Sequence, residues 1–417
     1  MIREGGKVVF VAACLAIGLL SGSCDTNEPD QPGRFSVVEY GPVAVSKSNS
    51  IEIWAHMMPW FESKETTGTG KWGMHWTMNT KNPDRMDNAG KREIASHFYP
   101  LTGPYASGDP DMIEYQLLLM KYCGIDGVLI DWYGSTDWND YKGNRTNSEA
   151  IINALDKIGL KFAIVYEDRT VPEVLQNDAS LDRIGVAQAD MQYIEQNYFS
   201  NPRYMKVDGK PLLLVFGPEE FTLPSDWTEI FSSLTTQPCF LTLNGASGKA
   251  GNTASGEYIW VDNSSLDNKY GNMSRFNVYV GGAYPGFYDF YKEGGWGDGF
   301  SWSIAMNNGE TFRQNLEIAK KAGVKYVQLI TWNDYGEGTM IEPTQEMGFT
   351  LLQVVQDFTG VSYSNIELEK IYDLYNLRKS NAANSENQKH LDQSFYYWVS
   401  LQTDKAVQII DSLKTNE

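Results

Sequence analysis

The chain has 417 residues, of which 42% are hydrophobic, 13% aromatic and 21% charged. This composition supplies enough apolar side chains for a large core and excludes disorder as the main state. With 34 Lys and Arg against 53 Asp and Glu, the formal net charge is −19, which repels nucleic-acid phosphates and disfavours a nucleic-acid partner. The 12 Trp and 24 Tyr are better suited to stacking on the C–H faces of sugars.

Residues 1–23 have the features of a signal peptide. Arg3 and Lys7 accompany an apolar run, Val8 to Leu20, that is too short to span a bilayer. The small residues before Cys24 resemble a bacterial lipobox, so we expect lipidation at Cys24; an ordinary signal peptide with an incidental cysteine is the alternative. Residues 24–50 would then be the lipidated N-terminus and tether, similar to those of surface-exported lipoproteins of Bacteroides-like bacteria. The predicted location is the outer membrane, on its surface or periplasmic face, with a lipid anchor.

Two other cysteines, Cys123 and Cys239, are far apart in sequence and have no metal-ligand spacing. They could pair in an oxidising compartment. We favour two buried thiols, because Cys123 ends an amphipathic helix and Cys239 begins a strand.

From residue 51 onward, short β-branched or aromatic runs alternate with stretches of helical periodicity, which is typical of a parallel sheet with crossover helices. Eight strands are predicted: Ile51–Trp60, Gly127–Tyr133, Phe162–Glu167, Pro211–Phe216, Cys239–Leu243, Glu257–Val261, Asn277–Val280 and Val327–Trp332. The predicted helices include Met112–Cys123, Ser148–Ile158, Asp182–Phe199, Trp227–Leu234 and Glu310–Ala322. This α/β pattern predicts a (β/α)8 TIM barrel over residues 51–360, with extended strand-to-helix loops. A doubly wound open sheet is the alternative, but no phosphate-binding glycine fingerprint follows the first strand.

Residues 361–417 are predicted to be a C-terminal helical extension. Ile366–Leu377 and Leu391–Leu413 read as two helices joined by an Asn- and Ser-rich turn. Packing of this extension on the barrel is the favoured interpretation, and a hairpin that docks a partner is the alternative.

Catalytic groups of a TIM barrel come from the carboxyl ends of its strands, and these ends are polar and aromatic in this chain. Asp131 ends a buried apolar run, where its carboxylate needs a partner, either structural or in the substrate. A Trp-rich segment, residues 72–79, and a glycine-rich segment, residues 294–299, are interpreted as loops beside the cleft. The candidate substrate-binding residues are His56, Trp60, Trp76, Asp131, Trp132, Tyr133, Glu167, Tyr284, Trp332, Asn333 and Tyr335. For each aromatic residue, packing in the core is the alternative role.

Asp334 and Glu337 are the candidate catalytic residues. They stand three positions apart on a Gly-interrupted turn, so both carboxylates can face one cavity, as an acid and a base must in glycoside hydrolysis. The sequence contains no HExxH, Walker, nucleophile-elbow or EF-hand pattern, so we predict no metal, cofactor or nucleotide.

The segment from Trp332 to Pro343, WNDYGEGTMIEP, resembles the carboxylate motif of glycoside hydrolase family 99, the endo-α-mannosidases and endo-α-mannanases, which reads NEWHEGTQIEP in that family. Gly127–Gly134 and Tyr166–Glu167 are similar to the second and third strands of that family, and Val280–Gly286 to its seventh. The resemblance covers roughly residues 51–360. It implies that Glu167 lines the cleft, that Tyr284 is an active-site tyrosine, and that the substrate is an α-linked polysaccharide or oligosaccharide.

The motif departs from family 99 at its first carboxylate. This chain has Asp334 where family 99 has Glu, and WNDYGE is closer to family 71, the α-1,3-glucanases. In family 99 the first carboxylate deprotonates the sugar 2-OH and the second protonates the leaving oxygen, which would make Asp334 the base and Glu337 the acid. An inverting mechanism, in which a carboxylate activates water, is the alternative.

The predicted function is therefore hydrolysis of α-glycosidic bonds, most simply an endo-acting enzyme on α-mannan or α-mannosides. Two alternatives remain: a family 71-like α-1,3-glucanase, and a lipid-anchored glycan-binding protein without catalysis. Substitution of the two carboxylates distinguishes an enzyme from a binding protein, because a hydrolase needs at least Glu337 for its rate whereas a binding protein needs neither carboxylate for affinity.

Overall fold

The computed structural model describes residues 35–415. The predicted signal peptide, Cys24 and the tether up to residue 34 lie outside the described residues. Within residues 35–415, none of the helices is both long and apolar enough to cross a membrane.

Eight parallel strands form a closed barrel. The strands are β1 (Glu52–Met57), β2 (Gly127–Trp132), β3 (Lys161–Tyr166), β5 (Lys210–Val215), β6 (Cys239–Leu243), β7 (Ala254–Tyr258), β8 (Val278–Ala283) and β9 (Tyr326–Leu329), and β4 (Lys206–Val207) forms a short antiparallel pair with β5. The strand order is β3-β2-β1-β9-β8-β7-β6-β5, and pairing of β3 with β5, with Tyr166 opposite Val215, closes the barrel. The predicted TIM barrel is confirmed.

Helices follow the strands and surround the barrel. They are α1 (Met74–Thr77), α2 (Pro110–Tyr122), α3 (Tyr141–Ile158), α4 (Val171–Asn177), α5 (Arg183–Ile194), α6 (Pro224–Phe231), α7 (Ser247–Ala250), α8 (Leu266–Lys269), α9 (Tyr291–Gly294), α10 (Glu310–Ala322), α11 (Thr350–Thr359), α12 (Asn365–Ser380), α13 (Ser385–Val399) and α14 (Thr403–Lys414). A π-helical turn, Glu195–Phe199, continues α5. The longest strand-to-helix excursion, residues 58–109, lies between β1 and α2.

Local sequence signals account for these elements. Every residue of β2 is buried, as expected of a barrel strand covered on both faces. Helix α2 begins where the Asp109 side chain accepts the N–H groups of Asp111 and Met112. Gly159 and Gly323 end α3 and α10 with φ of 90° and 76°, a left-handed conformation that glycine adopts most easily.

Four predicted strand ends were wrong by three residues. Strand β1 ends at Met57 rather than Trp60, β7 at Tyr258 rather than Val261, β8 at Ala283 rather than Val280, and β9 at Leu329 rather than Trp332. The chain leaves the ladder after β9 because Thr331 N–H bonds to Thr339 O at 2.9 Å, across the turn that follows the strand. The residues that follow β1 and β9 therefore belong to the loops at the carboxyl end of the barrel rather than to the sheet.

The C-terminal segment forms three helices rather than two. The predicted helix Leu391–Leu413 is interrupted at Leu401, which has φ of 61°, so that α14 folds back on α13. Helix α12 contacts α2 through an ion pair of Arg378 with Glu114 at 2.9 Å. Cys123 and Cys239 are both buried and unpaired, as favoured from the sequence.

Candidate active site

Asp334 and Glu337 lie on one tight turn immediately after β9. The ends of this turn are tied by hydrogen bonds from Thr331 N–H to Thr339 O at 2.9 Å and from Ile341 N–H to Thr331 O at 3.0 Å. Within it, Glu337 N–H donates to Asp334 Oδ1 at 2.9 Å. The i to i+3 spacing seen in the sequence therefore brings both carboxylates to the carboxyl end of the barrel, where TIM-barrel chemistry takes place.

The two carboxylates face a cavity of about 520 Å³, within the usual size range of small-molecule sites. Aromatic rings form most of its walls, and a few charged groups lie among them. Trp60 and His75 stack with ring centroids 4.2 Å apart, and Trp296 meets the edge of His75 at 5.6 Å. The other aromatic wall residues are Phe61, Tyr133, Phe216, Trp260, Phe287, Tyr291, Phe300 and Trp302.

Asp334 is almost fully buried, with 3% of its surface exposed. Burial raises the pKa of its carboxyl to about 6, because removal from water penalises the charged form. The N–H groups of Glu337 and Gly336 and the imidazoles of His75 and His56 oppose this shift. Asp334 is thus mostly ionised at neutral pH, as a base must be, and is close to titration.

Glu337 has the opposite character. Burial and the negative charge of Asp334 raise the pKa of Glu337 well above its usual range. Its Oε1 accepts a hydrogen bond from Tyr291 at 3.2 Å, while its Oε2 has no partner among the described residues. A carboxyl group kept protonated, with one free oxygen at a cavity wall, can donate a proton to a ligand.

Beneath the cavity lies a second group of buried ionisable side chains. Asp131 Oδ2 is 3.6 Å from His56 Nε2, and the carboxyl group of Asp131 lies beside that of Glu167. Burial raises the pKa of Asp131 to about 7 and lowers that of His56 to about 4. Burial, reinforced by the charge of Asp131, raises the pKa of Glu167 to about 8; Glu167 also forms an ion pair with Arg169. His56, Asp131 and Glu167 are at most 2% exposed, and none of them lines the cavity.

A further buried carboxyl, Glu342, supports the turn that carries Asp334 and Glu337. It accepts hydrogen bonds from the hydroxyls of Tyr105 and Tyr335 at 2.8 and 2.9 Å and from Gln116 Nε2 at 2.6 Å. Burial raises its pKa to about 7. Asn333 joins this network by donating to the Tyr105 hydroxyl at 3.1 Å. The residues on both sides of Asp334 are therefore anchored through Glu342.

The structure divides the residues predicted from the sequence into three groups. Trp60, Tyr133, Asp334 and Glu337 line the cavity. His56, Asp131 and Glu167 form the buried group beneath it. The remaining six predicted residues do not line the cavity and are buried in the core: Trp76, Trp132, Tyr284, Trp332, Asn333 and Tyr335.

The buried aromatic residues among these candidates pack in the core, which was the alternative role considered for them. Trp76 is 0% exposed and donates from its indole to Tyr105 O at 2.7 Å, while His75, beside it on the one-turn helix α1, reaches the cavity. Trp132 packs against Tyr193 at 5.8 Å, whereas its neighbour Tyr133 faces the cavity. Successive residues point in different directions, so a one-residue difference separates core from site.

Several cavity residues were not among the sequence candidates: His75, Arg169, Trp260, Tyr291 and Trp302. Arg169 and Trp260 come within three residues of the carboxyl ends of β3 and β7. The rule that catalytic groups of a TIM barrel follow its strands, which selected Glu167, also applies to them. Tyr291 and Trp302 lie in the long excursion after β8, where sequence gives no direction for a side chain. Trp296, in the glycine-rich segment interpreted as a cleft loop, lines the cavity as expected.

Comparison with protein families gives two overlapping matches. Residues 51–240 match the model described as glycosyl hydrolase family 99, and residues 177–357 match that of glycosyl hydrolase family 71. The turn with Asp334 and Glu337 lies in the segment matched by family 71.

Curated relatives are similar at low identity. A glycoprotein endo-alpha-1,2-mannosidase-like protein of Danio rerio is 24% identical over 259 residues, which are 58% of this chain and 50% of that protein. The glycoprotein endo-alpha-1,2-mannosidase of Rattus norvegicus is 21% identical over 356 residues, 78% of this chain and 73% of that protein. The first of these matches thus spans only half of the relative's length.

Among solved structures, the GH99 endo-alpha-mannosidase from Bacteroides thetaiotaomicron superposes with a TM-score of 0.56 at 18% identity, covering 77% of this chain and 98% of that one. A protein titled glycoside hydrolase-like protein gives a TM-score of 0.54 at 15% identity, with 76% and 97% coverage. At these identities the superpositions establish the shared barrel fold.

Proposed function

We propose that the protein is a glycoside hydrolase that cleaves α-glycosidic bonds inside a polysaccharide or glycan, with α-mannoside linkages as its substrate. The observation that carries this proposal is the pair of carboxylates on one turn, facing an aromatic-walled cavity at the mouth of a TIM barrel. The match to the family 99 model and the similarity to proteins named endo-alpha-1,2-mannosidases support the choice of α-mannosides.

In this proposal the two carboxylates have different roles. Glu337 is the general acid, because its raised pKa keeps it protonated and its free Oε2 can donate to the oxygen of the leaving sugar. Asp334 is the base: it is largely ionised at pH 7, and the Glu337 N–H holds its Oδ1 in place. The base takes a proton from the sugar 2-OH or from water, according to the route.

The test uses a panel of α-mannans and α-glucans, with released oligosaccharides measured for the wild type and for Glu337→Gln. Release from α-mannan that is lost in the variant supports the proposal. Binding of glycans without release from any substrate contradicts it and favours a glycan-binding protein.

An α-1,3-glucanase of the family 71 kind is the second candidate function. One observation favours it: the catalytic turn, with Asp334 in place of Glu, lies within the residues matched by the family 71 model. Release from α-1,3-glucan but not from α-mannan would select this candidate.

We also propose export and lipid anchoring at Cys24, on the basis of the apolar run and the lipobox-like residues in the sequence. Metabolic labelling with a fatty acid, followed by fractionation of membranes, tests this. Wild type should carry label in the outer membrane, and Cys24→Ser should not; equal labelling of both would contradict the proposal.

A further inference from the structure

The excursion between β8 and α10 contains a structured loop rich in aromatic residues. Its ends, Phe287 and Ile304, are joined by two backbone hydrogen bonds of 2.9 and 2.8 Å, and we refer to residues 287–304 as the aromatic loop. Helix α9 forms a single turn within it. The loop is therefore a closed unit on the rim of the barrel rather than an open connection.

A buried carboxylate holds the aromatic loop together from inside. Asp289 is 8% exposed; its Oδ1 accepts the N–H of Tyr291 and its Oδ2 the N–H of Phe300, both at 3.2 Å. His97 Nε2 donates to Asp289 O at 3.1 Å and so links the loop to the excursion after β1. Such internal bonds reduce the entropy that a binding surface loses when a ligand orders it.

The same loop is joined directly to the catalytic turn. Tyr288 N–H donates to Glu337 O, and Phe290 N–H donates to Gly336 O, each at 2.8 Å. The Tyr291 hydroxyl contacts Glu337 Oε1 at 3.2 Å. The aromatic loop thus lies against the residue proposed as the general acid.

Three rings of the aromatic loop continue the cavity wall towards solvent. Trp296 is 37% and Phe300 49% exposed, although both are large apolar side chains. Trp302 stacks on Phe287 with centroids 4.3 Å apart and meets Phe300 at 5.3 Å. All three line the cavity that contains Asp334 and Glu337, so the apolar surface is continuous with the candidate active site.

We propose that Trp296, Phe300 and Trp302 form a sugar-binding subsite that takes the leaving-group side of the same glycan chain that Glu337 protonates. Exposed rings beside the carboxyl groups of the cavity suit a pyranose, which has an apolar C–H face and hydroxyl edges. The leaving-group side follows from the loop's contacts with Glu337, because a general acid stands next to the departing oxygen. This inference rests on the proposed glycosidase function. Its consequence is selection for glycans that extend beyond the cleaved bond, as an endo-acting enzyme requires.

The test compares Phe300→Ala and Trp302→Ala with wild type on two substrates: a hexasaccharide of the cleaved α-glycan, and a glycosyl fluoride, which places neither a sugar nor a ring on the leaving side. We expect kcat/KM for the hexasaccharide to fall about tenfold, the cost of removing a binding ring, and kcat/KM for the glycosyl fluoride to fall by clearly less. Trp138→Ala is the matched control, because Trp138 is also 37% exposed but does not line the cavity. Equal losses on both substrates, or an unchanged hexasaccharide rate, would overturn the subsite.

A binding measurement separates failure of the subsite from failure of the proposed activity. α-Mannan and α-1,3-glucan hexasaccharides are titrated by calorimetry into full-length Glu337→Gln, with and without Phe300→Ala. About tenfold weaker binding in the double variant supports the subsite even if the wild type cleaves neither glycan. Equal affinity of the two proteins for the hexasaccharide that binds would overturn it.

Discussion

Replacement of Glu337 by Gln should remove the proton donor with little other change. Gln has nearly the same shape, and its amide oxygen can still accept the Tyr291 hydroxyl that lies 3.2 Å from Oε1. The amide cannot protonate a leaving group at any pH. The variant therefore isolates proton transfer from packing.

General acid catalysis contributes about 10²–10⁴-fold, or about 3–5 kcal/mol of transition-state stabilisation. We expect this full loss of kcat for a glycan, whose departing sugar hydroxyl is a poor leaving group. For an aryl glycoside with an acidic phenol, which departs without protonation, the loss should be less than about tenfold. The raised pKa of Glu337 also predicts that wild type loses activity at alkaline pH as this acid ionises, and that the variant lacks this limb.

Steady-state kinetics of both substrates over a range of pH tests this reasoning. Glu293→Gln is the control, because Glu293 is an exposed carboxylate on the aromatic loop that does not line the cavity. An equal loss for glycan and aryl glycoside, or a retained alkaline limb in Glu337→Gln, would refute the assignment of Glu337 as the acid.

Four further predictions follow from the buried groups. Asp334, with a pKa of about 6, must be ionised to act as the base, so kcat/KM should fall about tenfold between pH 7 and pH 5. A kcat/KM that is constant over this interval would contradict the assignment of Asp334 as the base. Glu342→Ala should lower the free energy of unfolding by at least about 3 kcal/mol, because two tyrosine hydroxyls and Gln116 lose their acceptor. Glu342→Gln near pH 6 should lower it by about 1 kcal/mol or less. Denaturant titration measures both changes, and equal changes would refute the network. Because the pKa values of Asp131, Glu167 and Glu342 are raised, the folded state binds more protons than the unfolded state between about pH 4.5 and pH 8, and the melting temperature should fall as pH rises through this range. Glu342→Gln should remove up to about 3 kcal/mol of the pH dependence of stability. A melting temperature that rises with pH would contradict this sign. Trp76→Ala should lower the free energy of unfolding by about 3–5 kcal/mol, because Trp76 is fully buried. His75→Ala should instead raise KM, because His75 lines the cavity. A Trp76→Ala variant that changes only KM would show that Trp76 binds substrate.

The barrel could be predicted from the sequence because its strands are short apolar runs separated by helical periodicity. The run Val128–Leu129–Ile130, for example, is buried on both faces and reads as a parallel strand without further information. The break at Leu401 could not be predicted, since no glycine or proline marks it and the apolar periodicity continues across it. There the packing of α14 against α13 determines the backbone conformation.

Spacing along one turn predicted that Asp334 and Glu337 face one cavity, and the structure places both there. The sequence did not predict which of two neighbouring side chains faces the cavity, as with Trp76 and His75 or with Trp132 and Tyr133. Backbone hydrogen bonds to Asp289 and to the turn with Asp334 and Glu337 hold the rings of the loop after β8 at the cavity, and these bonds join residues distant in sequence. Such contacts have no local signature.

The appearance of new reducing ends when α-mannan is incubated with wild type, Asp334→Asn, Glu337→Gln and Glu293→Gln shows whether the turn with Asp334 and Glu337 is a catalytic centre. Wild type and Glu293→Gln should release oligosaccharides at similar rates, and the two variants of the carboxylate pair should be at least about a hundredfold slower. Release that persists in both variants of the pair, or no release by wild type from α-mannan or α-1,3-glucan, would contradict the assignment of this turn as the catalytic centre of a glycosidase.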